Sequence, residues 1–221
     1  MVYRQTERTM ERNALRRKQI LTAARKMFSA YGYEKTTMNR IVKKAGTSIG
    51  NCYYYFPDKE ALLMEIIKDI IDQIWCIADD TAEAISSGVQ KLANILYESA
   101  VIMMENEETA RLMIIGQSVA PVRRTMFEIF RKRIQKLVND NPSLNRSGNI
   151  ELELYAVHGA IMGFLDRMRS GDIRCQPHEI GIYLTRWNLQ ALDFPREDIE
   201  ASLRSLESLA GRKKQAGKYQ K

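Results

Sequence analysis

Apolar residues recur at spacings of three and four along nearly the whole chain, which is the period of amphipathic α-helices. We find no convincing two-residue alternation of the kind that β-strands show, and no internal repeat. The pattern therefore predicts an all-α protein, whose helices are separated by clusters of glycine, proline, serine and asparagine.

The first predicted helix runs from about Asn13 to Tyr31, and Gly32 follows where a C-terminal glycine is favoured. Its apolar stripe consists of Ile20, Ala24, Met27, Phe28 and Tyr31. This stripe predicts that the helix packs against its neighbours along one face.

Two short helices joined by a glycine follow. Thr37 is a favoured N-cap ahead of an apolar series at helical spacing, Met38, Ile41, Val42 and Ala45. Gly46 ends this helix, since an ordinary residue would be strained in the turn, and Thr47 or Ser48 caps the next helix. Such a pair is typical of a helix-turn-helix, which we place at residues 37–56.

After Pro57 the predicted helices are longer, and Asp58 can cap the first of them. They lie at about 58–79, 82–105, 107–116, 121–139, 149–170, 177–193 and 196–210. The breaks fall at Ser86-Ser87-Gly88, Pro121, Asn139-Asp140-Asn141-Pro142, Gly171-Asp172 and Pro195. We therefore predict three parts: an arm and helix-turn-helix domain at 1–57, a helical domain at 58–210, and a basic, disordered tail at 211–221.

Charge is distributed unevenly along the chain. The net charge is +7, yet residues 1–57 carry 12 Lys/Arg and 3 Asp/Glu, whereas residues 58–210 carry 17 and 24. A basic module ahead of an acidic body favours a polyanion partner at one end, and nucleic acid is such a partner. A solvated basic surface gives the same charge pattern, so charge alone leaves both interpretations open.

Several functional classes lack their signatures. The chain shows no nucleophile paired with a base, no phosphate-binding glycine loop and no metal-ligand cluster, so we expect no enzyme, no catalytic residue, no metal and no cofactor. His158 and His178 lack partners at metal-ligand spacing, and we expect His158 in the core or an interface and His178 near a helix start. The three scattered cysteines suit a reducing cytoplasm, where we expect the protein. We expect neither a signal peptide nor a membrane partner, because the chain lacks the apolar runs that these need.

The second short helix divides into two faces. At inward spacing lie Cys52, Tyr53 and Phe56. Mostly on other faces lie Ser48, Asn51, Tyr54 and Tyr55. Gly50 removes a side chain where a helix would approach a duplex closely. Ile49 fits both faces, because its periodicity is that of the buried side while its place at the helix start is where base contacts occur. A generic amphipathic hairpin remains the alternative to DNA binding.

The N-terminal residues as a series resemble a known family. The series is Ile20-Leu21-Thr22-Ala23-Ala24-Arg25-Lys26-Met27-Phe28, Tyr31-Gly32-Tyr33, Thr36-Thr37-Met38, Ile41-Val42-Lys43-Lys44-Ala45-Gly46-Thr47-Ser48, Gly50, Tyr53-Tyr54-Tyr55-Phe56 and Pro57-Asp58-Lys59-Glu60-Ala61-Leu62-Leu63. Over about residues 14–63 it is similar to the TetR family of one-component repressors. The rest of the chain resembles that family only in its helices and its length.

This resemblance implies roles for individual residues. Thr37 would offer its hydroxyl and backbone N–H to a phosphate, and Lys59 would make a phosphate contact at the start of the fourth helix. Tyr53 and Tyr54 would lie near the DNA backbone. The residues predicted to contact DNA are Thr37, Asn39, Thr47, Ser48, Ile49, Gly50, Asn51, Tyr53, Tyr54, Tyr55 and Lys59.

Three positions depart from the family pattern. Arg40 stands where an acidic residue is common, Tyr55 where histidine is frequent, and Ile49 at a position that is usually polar. These departures predict an unusual operator.

Both ends of the chain are basic, and each leaves two interpretations open. The first end forms either an arm along a DNA groove or a frayed, solvated terminus, and its residues are Arg4, Arg8, Arg12 and Arg16. The tail either seeks a polyanion or keeps the chain in solution, and its residues are Arg212, Lys213, Lys214 and Lys218.

The helix near 149–170 is apolar on more than one side, and the next helix adds a second apolar face. Helices buried on two sides predict self-association, for which a twofold homodimer is the default. The predicted interface consists of Ala156, Gly159, Ala160, Gly163, Tyr183 and Trp187. In the resembling family this helix pair forms a four-helix dimer bundle, and a dimer would read a palindromic operator with two recognition helices about 34–36 Å apart.

Methionine and aromatic residues are frequent in the helical domain, and the chain has 11 methionines. Such side chains suit an adaptable apolar pocket, and ordinary core packing is the alternative. The predicted pocket residues are Trp75, Tyr97, Met104, Met113, Met126, Phe127, Phe130, Tyr155 and Met162. The sequence thus predicts a DNA-binding repressor released by a small, largely apolar effector, or a DNA-binding dimer without an effector that a partner protein or its own abundance controls.

Overall fold

The computed structural model describes residues 7–82, 85–146 and 148–216. Across these ranges the regular structure is entirely helical, which confirms the predicted fold class. The α-helices are α1 (Glu7–Tyr31), α2 (Met38–Ala45), α3 (Ile49–Tyr55), α4 (Lys59–Ala82), α5 (Gly88–Glu105), α6 (Glu107–Ser118), α7 (Ala120–Asp140), α8 (Ile150–Ser170), α9 (Pro177–Ala191) and α10 (Arg196–Ala216). A short 3₁₀ helix lies at Pro142–Leu144.

The chain divides into two units. The first comprises the residues up to Ile70 together with Arg111–Arg124, and the second comprises Ile71–Ala110 and the residues from Thr125 onward. These units group residues by contact, so the predicted functional domains remain predictions.

The caps of the first unit form where the sequence predicts them. The Thr37 side chain accepts a hydrogen bond from the Arg40 N–H, and Asp58 Oδ1 accepts one from the Ala61 N–H at 2.7 Å. Gly46 is left-handed with φ of 63°, a conformation that favours glycine. The start and end of each short helix therefore follow from local chemistry.

Helices α1, α2 and α3 share one apolar core in the first unit. Its fully buried members include Ile20, Ala24, Phe28, Ile41 and Cys52. Thr36 is also buried, and its hydroxyl donates to the carbonyls of Gly32 and Met27 at 2.7 and 3.2 Å. The predicted stripe of α1 is wrong only at Tyr31, which is 49% exposed, because the Arg40 guanidinium and not the core covers its ring.

Helix α5 is the centre of the second unit, where α9 and α10 pack against it. Its residues from Leu92 to Val101 are all buried. Gly181 of α9 lets the two helices approach closely, because a Cβ there would lie 2.7 Å from Val101 Cγ2 and 2.9 Å from the Tyr97 ring. Tyr97 also forms a 2.7 Å hydrogen bond with His178 Nδ1, near the start of α9 as predicted.

Three predicted boundaries differ from the structure by about six residues. Helix α1 begins at Glu7, not near residue 13, because residues 7–12 are mostly good helix formers. Helix α5 begins at Gly88 and not at residue 82, since Ser87 accepts a hydrogen bond from the Gln90 N–H and caps it. Helix α10 continues to Ala216, which corrects the prediction of disorder for residues 211–216. Extending an existing helix is far easier than starting one.

Parts of the two basic ends lie outside the described residues. This applies to Arg4 of the proposed arm and to Lys218 of the tail. Arg12 and Arg16 lie on α1 with exposed side chains, which both interpretations of the arm allow.

Candidate nucleic-acid interface

The first predicted contact point is the start of α2. Thr37 is exposed and extended, and its Oγ1 accepts the Arg40 N–H at 3.3 Å. A hydroxyl can accept and donate at once, so its hydrogen can still be given to a phosphate oxygen. Asn39 lies exposed on the following turn. Both side chains therefore face solvent, as a phosphate contact requires.

Hydrogen bonds order the turn between α2 and α3. The Gly46 N–H donates to the Val42 carbonyl, and Ser48 Oγ accepts the Asn51 N–H at 3.2 Å. The Asn51 amide donates to Thr47 Oγ1 at 3.3 Å. The polar side chains at the start of α3 are thus held in place before any partner arrives.

The outward surface of α3 is apolar and aromatic. Tyr54 is 74% exposed, Tyr53 is 51% exposed and Ile49 is 40% exposed. The inward spacing predicted for Tyr53 is wrong, because Cys52 and Phe56 alone fill the narrow contact that this short helix makes with the core. The sequence allowed Ile49 to lie on either face of α3, and its exposed side chain places it on the outward surface.

Gly50 lies on the same outward surface. A Cβ placed there would meet no atom within 4 Å, and its φ is not positive. Neither the fold nor the backbone therefore needs a glycine at this position.

Tyr55 has a partner within the protein. Its hydroxyl donates to Asn13 Oδ1 of α1 at 3.1 Å, and its ring meets that of Tyr54 edge to face at 4.9 Å. The side chain is half-buried. This contact fixes α3 on α1, while the predicted DNA contact of Tyr55 remains a prediction.

Lys59 is also held by the protein. Its Nζ donates to the Tyr33 carbonyl at 3.0 Å and lies 4.0 Å from the centre of the Tyr33 ring. Burial, followed by the nearby carboxylate of Glu60, raises the pKa of Tyr33 above its ordinary value. The ammonium has three hydrogens, so a phosphate contact can be added to this arrangement.

An ion pair that the sequence did not predict joins α1 to α4 near the end of α3. Arg17 of α1 lies 2.5 Å from Glu65 Oε1 of α4, and its guanidinium stands over the Phe56 ring at 5.1 Å. The partners are 48 residues apart, so no local pattern predicts them. Arg17 therefore links α1, the end of α3 and α4.

The basic charge of this unit is partly gathered along α1 and α2. A shallow groove of about 400 Å³ is lined by Leu15, Lys18, Gln19, Thr22, Ala23, Lys26, Lys44 and Ala45. Arg40 is held nearby, since it donates to the Lys35 carbonyl at 2.7 Å and lies 4.3 Å from the Tyr31 ring. The predicted basic module is thus a surface and not only a composition.

The predicted pocket residues do not all share one environment. Met113 belongs to the first unit and the other eight to the second. Trp75, Tyr97, Met113, Met126 and Phe127 are buried. Met104, Phe130 and Met162 are half-buried, and Tyr155 is 60% exposed.

Some of these residues form an aromatic cluster in the second unit. Phe127 stacks on Tyr155 with ring centres 4.1 Å apart, and Phe130 lies 6.4 Å from Trp75. His158, which the sequence predicted in the core or an interface, is half-buried and lies 5.9 and 5.7 Å from the two phenylalanine rings. Burial lowers its pKa below the ordinary value. We call these five residues the aromatic cluster.

A cavity of about 30 Å³ borders this cluster at Phe130. Its other lining residues are Leu92, Leu96, Ile134, Val138, Leu144, Ile150, Glu153, Leu154, Val157 and Leu192. That volume holds about one water molecule. Of the predicted pocket residues, this cavity therefore includes Phe130 alone.

The predicted interface residues form an exposed apolar surface on α8 and α9. Tyr183 and Trp187 are 55% and 44% exposed, and Ala156, Gly159 and Gly163 are also exposed, while Ala160 is half-buried. Most of them line an open groove of about 450 Å³ together with Phe164, Arg167 and Ile173. We call this surface the α8/α9 face.

Residues 7–82, 85–146 and 148–216 hold no group of three or more His, Cys, Asp or Glu that could bind a metal ion. Within the same ranges, no helix is long and apolar enough to cross a membrane.

Residues 20–66 match the family model described as bacterial regulatory proteins of the tetR family. This match confirms the resemblance predicted over residues 14–63. The chain is 28% identical over 124 residues to the HTH-type transcriptional regulator HbdR of an Aromatoleum strain, covering 56% of this chain and 54% of HbdR. It is 43% identical over 60 residues to RutR of Escherichia coli, covering 27% of this chain and 28% of RutR. The chain thus spans about half or less of these curated relatives.

Solved structures match over more of the chain. A complex of triclosan with SmeT, the repressor of a multidrug efflux pump of Stenotrophomonas maltophilia, has a TM-score of 0.64 at 18% identity. The match covers 82% of this chain and 96% of that one. The chain has the fold of such regulators, and the matched proteins are transcription regulators and not enzymes, as the sequence predicted.

Proposed function

We propose that this chain, which carries the N-terminal helix-turn-helix of a TetR-family regulator, is a homodimeric repressor that binds a palindromic DNA operator and is released by a small, largely apolar effector. As a regulator of bacterial operators it would act in the cytoplasm. The observation that carries the proposal is the ordered α2–α3 surface, where exposed side chains surround Gly50.

Two properties of this surface support DNA as the partner. The second short helix of a helix-turn-helix fits the major groove, and its first residues reach base edges. The lysines of the groove along α1 and α2, Lys18, Lys26 and Lys44, would neutralise phosphates of a bound duplex. The predicted contact residues, from Thr37 to Lys59, are therefore retained as proposed contacts.

A mobility shift on the promoter region upstream of the chain's own gene tests the DNA half of the proposal. We expect a specific complex at moderate salt that excess unrelated duplex does not displace. Absence of a specific complex, with protein that is folded and dimeric, would contradict the proposal.

The dimer is supported by the α8/α9 face. A monomer rarely leaves large aromatic side chains such as Tyr183 and Trp187 exposed beside a row of small residues, because apolar patches of this kind mark interaction sites. Small residues also allow two helices to approach closely. A twofold pairing of α8 and α9 would cover this face in both chains.

Tryptophan fluorescence tests the dimer at the residue level. The chain contains two tryptophans, Trp75 and Trp187, so a Trp75→Phe variant reports on the α8/α9 face alone. We expect a mass twice the chain's 25.5 kDa, and a red shift of Trp187 emission when dilution separates the chains. A single-chain mass at micromolar concentration, with no change in emission, would contradict the dimer.

The aromatic cluster supports an effector site. The rings of its five side chains contact one another in stacked, tilted and edge-to-face arrangements, and such aromatic side chains suit the lining of a site for an apolar aromatic ligand. SmeT, whose structure is similar to that of this chain, was solved in complex with triclosan, which is an apolar aromatic ligand. A coupling of about 1–3 kcal/mol would change operator affinity 5- to 150-fold.

Triclosan is a suitable first probe of the effector. In a Trp187→Phe variant the remaining Trp75 lies in the cluster, and we expect its fluorescence to fall as the probe binds. Operator affinity should fall over the same concentrations. If no apolar aromatic compound changes either signal, the effector part of the proposal fails.

The second candidate function is a DNA-binding dimer without a small-molecule effector. The observation that favours it is the 30 Å³ cavity beside Phe130, which is too small for such a ligand. In this case the aromatic cluster is solid core, and a partner protein or the chain's abundance sets operator occupancy. Unchanged operator binding in the presence of the compounds above would support this candidate.

A further inference from the structure

Ile49 is an apolar side chain that the fold leaves partly exposed. It is the first residue of α3, and by helical period it belongs with Cys52 and Phe56, which are 0% and 3% exposed. Ile49 itself is 40% exposed, although the same period would bury it. The described chain therefore covers Ile49 only in part.

The neighbours of Ile49 determine what can reach it. Ser48 Oγ accepts the Asn51 N–H and the Asn51 amide donates to Thr47 Oγ1, so the polar side chains beside Ile49 are oriented by the protein itself. Gly50, the next residue, leaves open space around its Cα. A flat surface can therefore approach the backbone at Gly50 and press against the Ile49 side chain.

We infer that Ile49 reads the C5-methyl group of a thymine in each half of the operator. This inference rests on the proposed function. The major groove presents donors and acceptors on every base edge, but thymine alone among the four bases adds an apolar group, its methyl. The exposed part of an isoleucine on the recognition helix has no other apolar partner among the base edges of the groove.

The size of the effect follows from the area involved. Burying one methyl group changes affinity about fourfold. Because the operator has two halves, replacing both thymines by deoxyuridine, which lacks only the methyl, should weaken binding by about fifteenfold.

The test begins with a library of randomised duplexes, from which the full chain selects its own operator. Each thymine of the selected duplex is then replaced singly by deoxyuridine, and affinities are measured for the wild type, Ile49→Val and Ile49→Ser. Because Ile49 is partly exposed, we expect both variants to have the same midpoint temperature of unfolding as the wild type. Thermal denaturation checks this.

We expect one thymine position in each half-site at which the methyl group matters. At this position the wild type and Ile49→Val should bind the deoxyuridine duplex more weakly than the thymine duplex. Ile49→Ser should bind the two duplexes equally. If Ile49→Ser no longer distinguishes thymine from deoxyuridine, the contact with the methyl group is made by the Ile49 side chain. Introducing 5-methylcytosine at that position should restore part of the affinity that cytosine loses.

Two results would overturn the inference. The wild type could bind every deoxyuridine duplex as tightly as the thymine duplex, or Ile49→Ser could retain the full discrimination, which would assign the methyl contact to another residue. Failure of the library to yield any enriched sequence is a different result, because it contradicts the proposed function on which the inference depends.

Discussion

Gly46 and Gly50 stand four residues apart and serve different purposes. Gly46 is left-handed at φ of 63°, whereas Gly50 is helical with open space where a Cβ would be. The first glycine is required by the backbone and the second is not. A glycine that the fold does not need points to a partner that comes close.

Alanine at each position separates these two requirements. Gly50→Ala should leave unfolding unchanged or raise its free energy by up to about 1 kcal/mol, because alanine favours helices, yet it should lower operator affinity at least tenfold. Gly46→Ala should destabilise the fold by about 1–2 kcal/mol, because a left-handed alanine is strained. Thermal denaturation and operator titration measure the two effects. Undiminished operator affinity in Gly50→Ala would show that DNA does not approach α3 closely.

His158 supplies a pH-dependent prediction. Burial lowers its folded-state pKa below the ordinary 6.5, so the unfolded chain takes up a proton at a higher pH than the folded chain does. Stability contributed by this residue is therefore present above the ordinary pKa and is lost as the pH falls through it. The wild type should lose more unfolding free energy between pH 7.5 and 5.5 than His158→Gln. Equal losses of unfolding free energy in the two proteins, measured by urea titration at both pH values, would argue against the half-buried, neutral histidine.

At the residue scale the sequence predicted the helix caps correctly but did not predict the contacts between residues that are far apart in the chain. Thr37, Gly46 and Asp58 act through neighbours within four residues, so their roles are predictable from local chemistry. The inward orientation predicted for Tyr53 was wrong, because α3 is too short for its periodicity to determine which residues the core covers. The Arg17–Glu65 pair was missed because its partners meet only through the fold.

Helix α3 is held against α1 by the hydrogen bond between Tyr55 and Asn13. We predict that Tyr55→Phe and Asn13→Ala each reduce the unfolding free energy by about 0.5–1.5 kcal/mol, because each removes this partly buried bond. The double variant should be little worse than either single one, since the same interaction is lost.

The same two variants separate positioning from DNA contact at Tyr55. If Tyr55 acts by holding α3 in place, Asn13→Ala lowers operator affinity as much as Tyr55→Phe does. If only Tyr55→Phe weakens operator binding while both lose equal stability, its hydroxyl contacts DNA directly and the positioning account is wrong.

Element boundaries were predictable where a capping residue stands and uncertain elsewhere. Helix α9 was predicted to start at Pro177 and does, because proline suits the first turn and Glu179 closes on the Gln176 N–H. Helix α10 was predicted to end six residues too early. Its last residues lack apolar periodicity, but a helix fixed by packing earlier in its length extends through them without needing any.

For the whole molecule, the proposed dimer depends on the α8/α9 face. A Cβ at Gly163 would meet nothing within 4 Å of the single chain, so Gly163→Glu should fold as a monomer and yet place a charge in the middle of a dimer contact. Lys132→Glu, which changes an exposed residue of α7, is the matched control. Sedimentation should show a monomer for the first variant and a dimer for the second. A dimeric Gly163→Glu protein would place the interface elsewhere.

Hydroxyl-radical footprinting of the full chain on its selected operator tests the central claim most directly. A dimer with two copies of the α2–α3 surface predicts two protected half-sites, related by twofold symmetry and separated by about 10–10.5 base pairs from centre to centre. Gly163→Glu should weaken the protection of both half-sites together. A single protected segment without symmetry, or protection that Gly50→Ala leaves unchanged, would contradict the account.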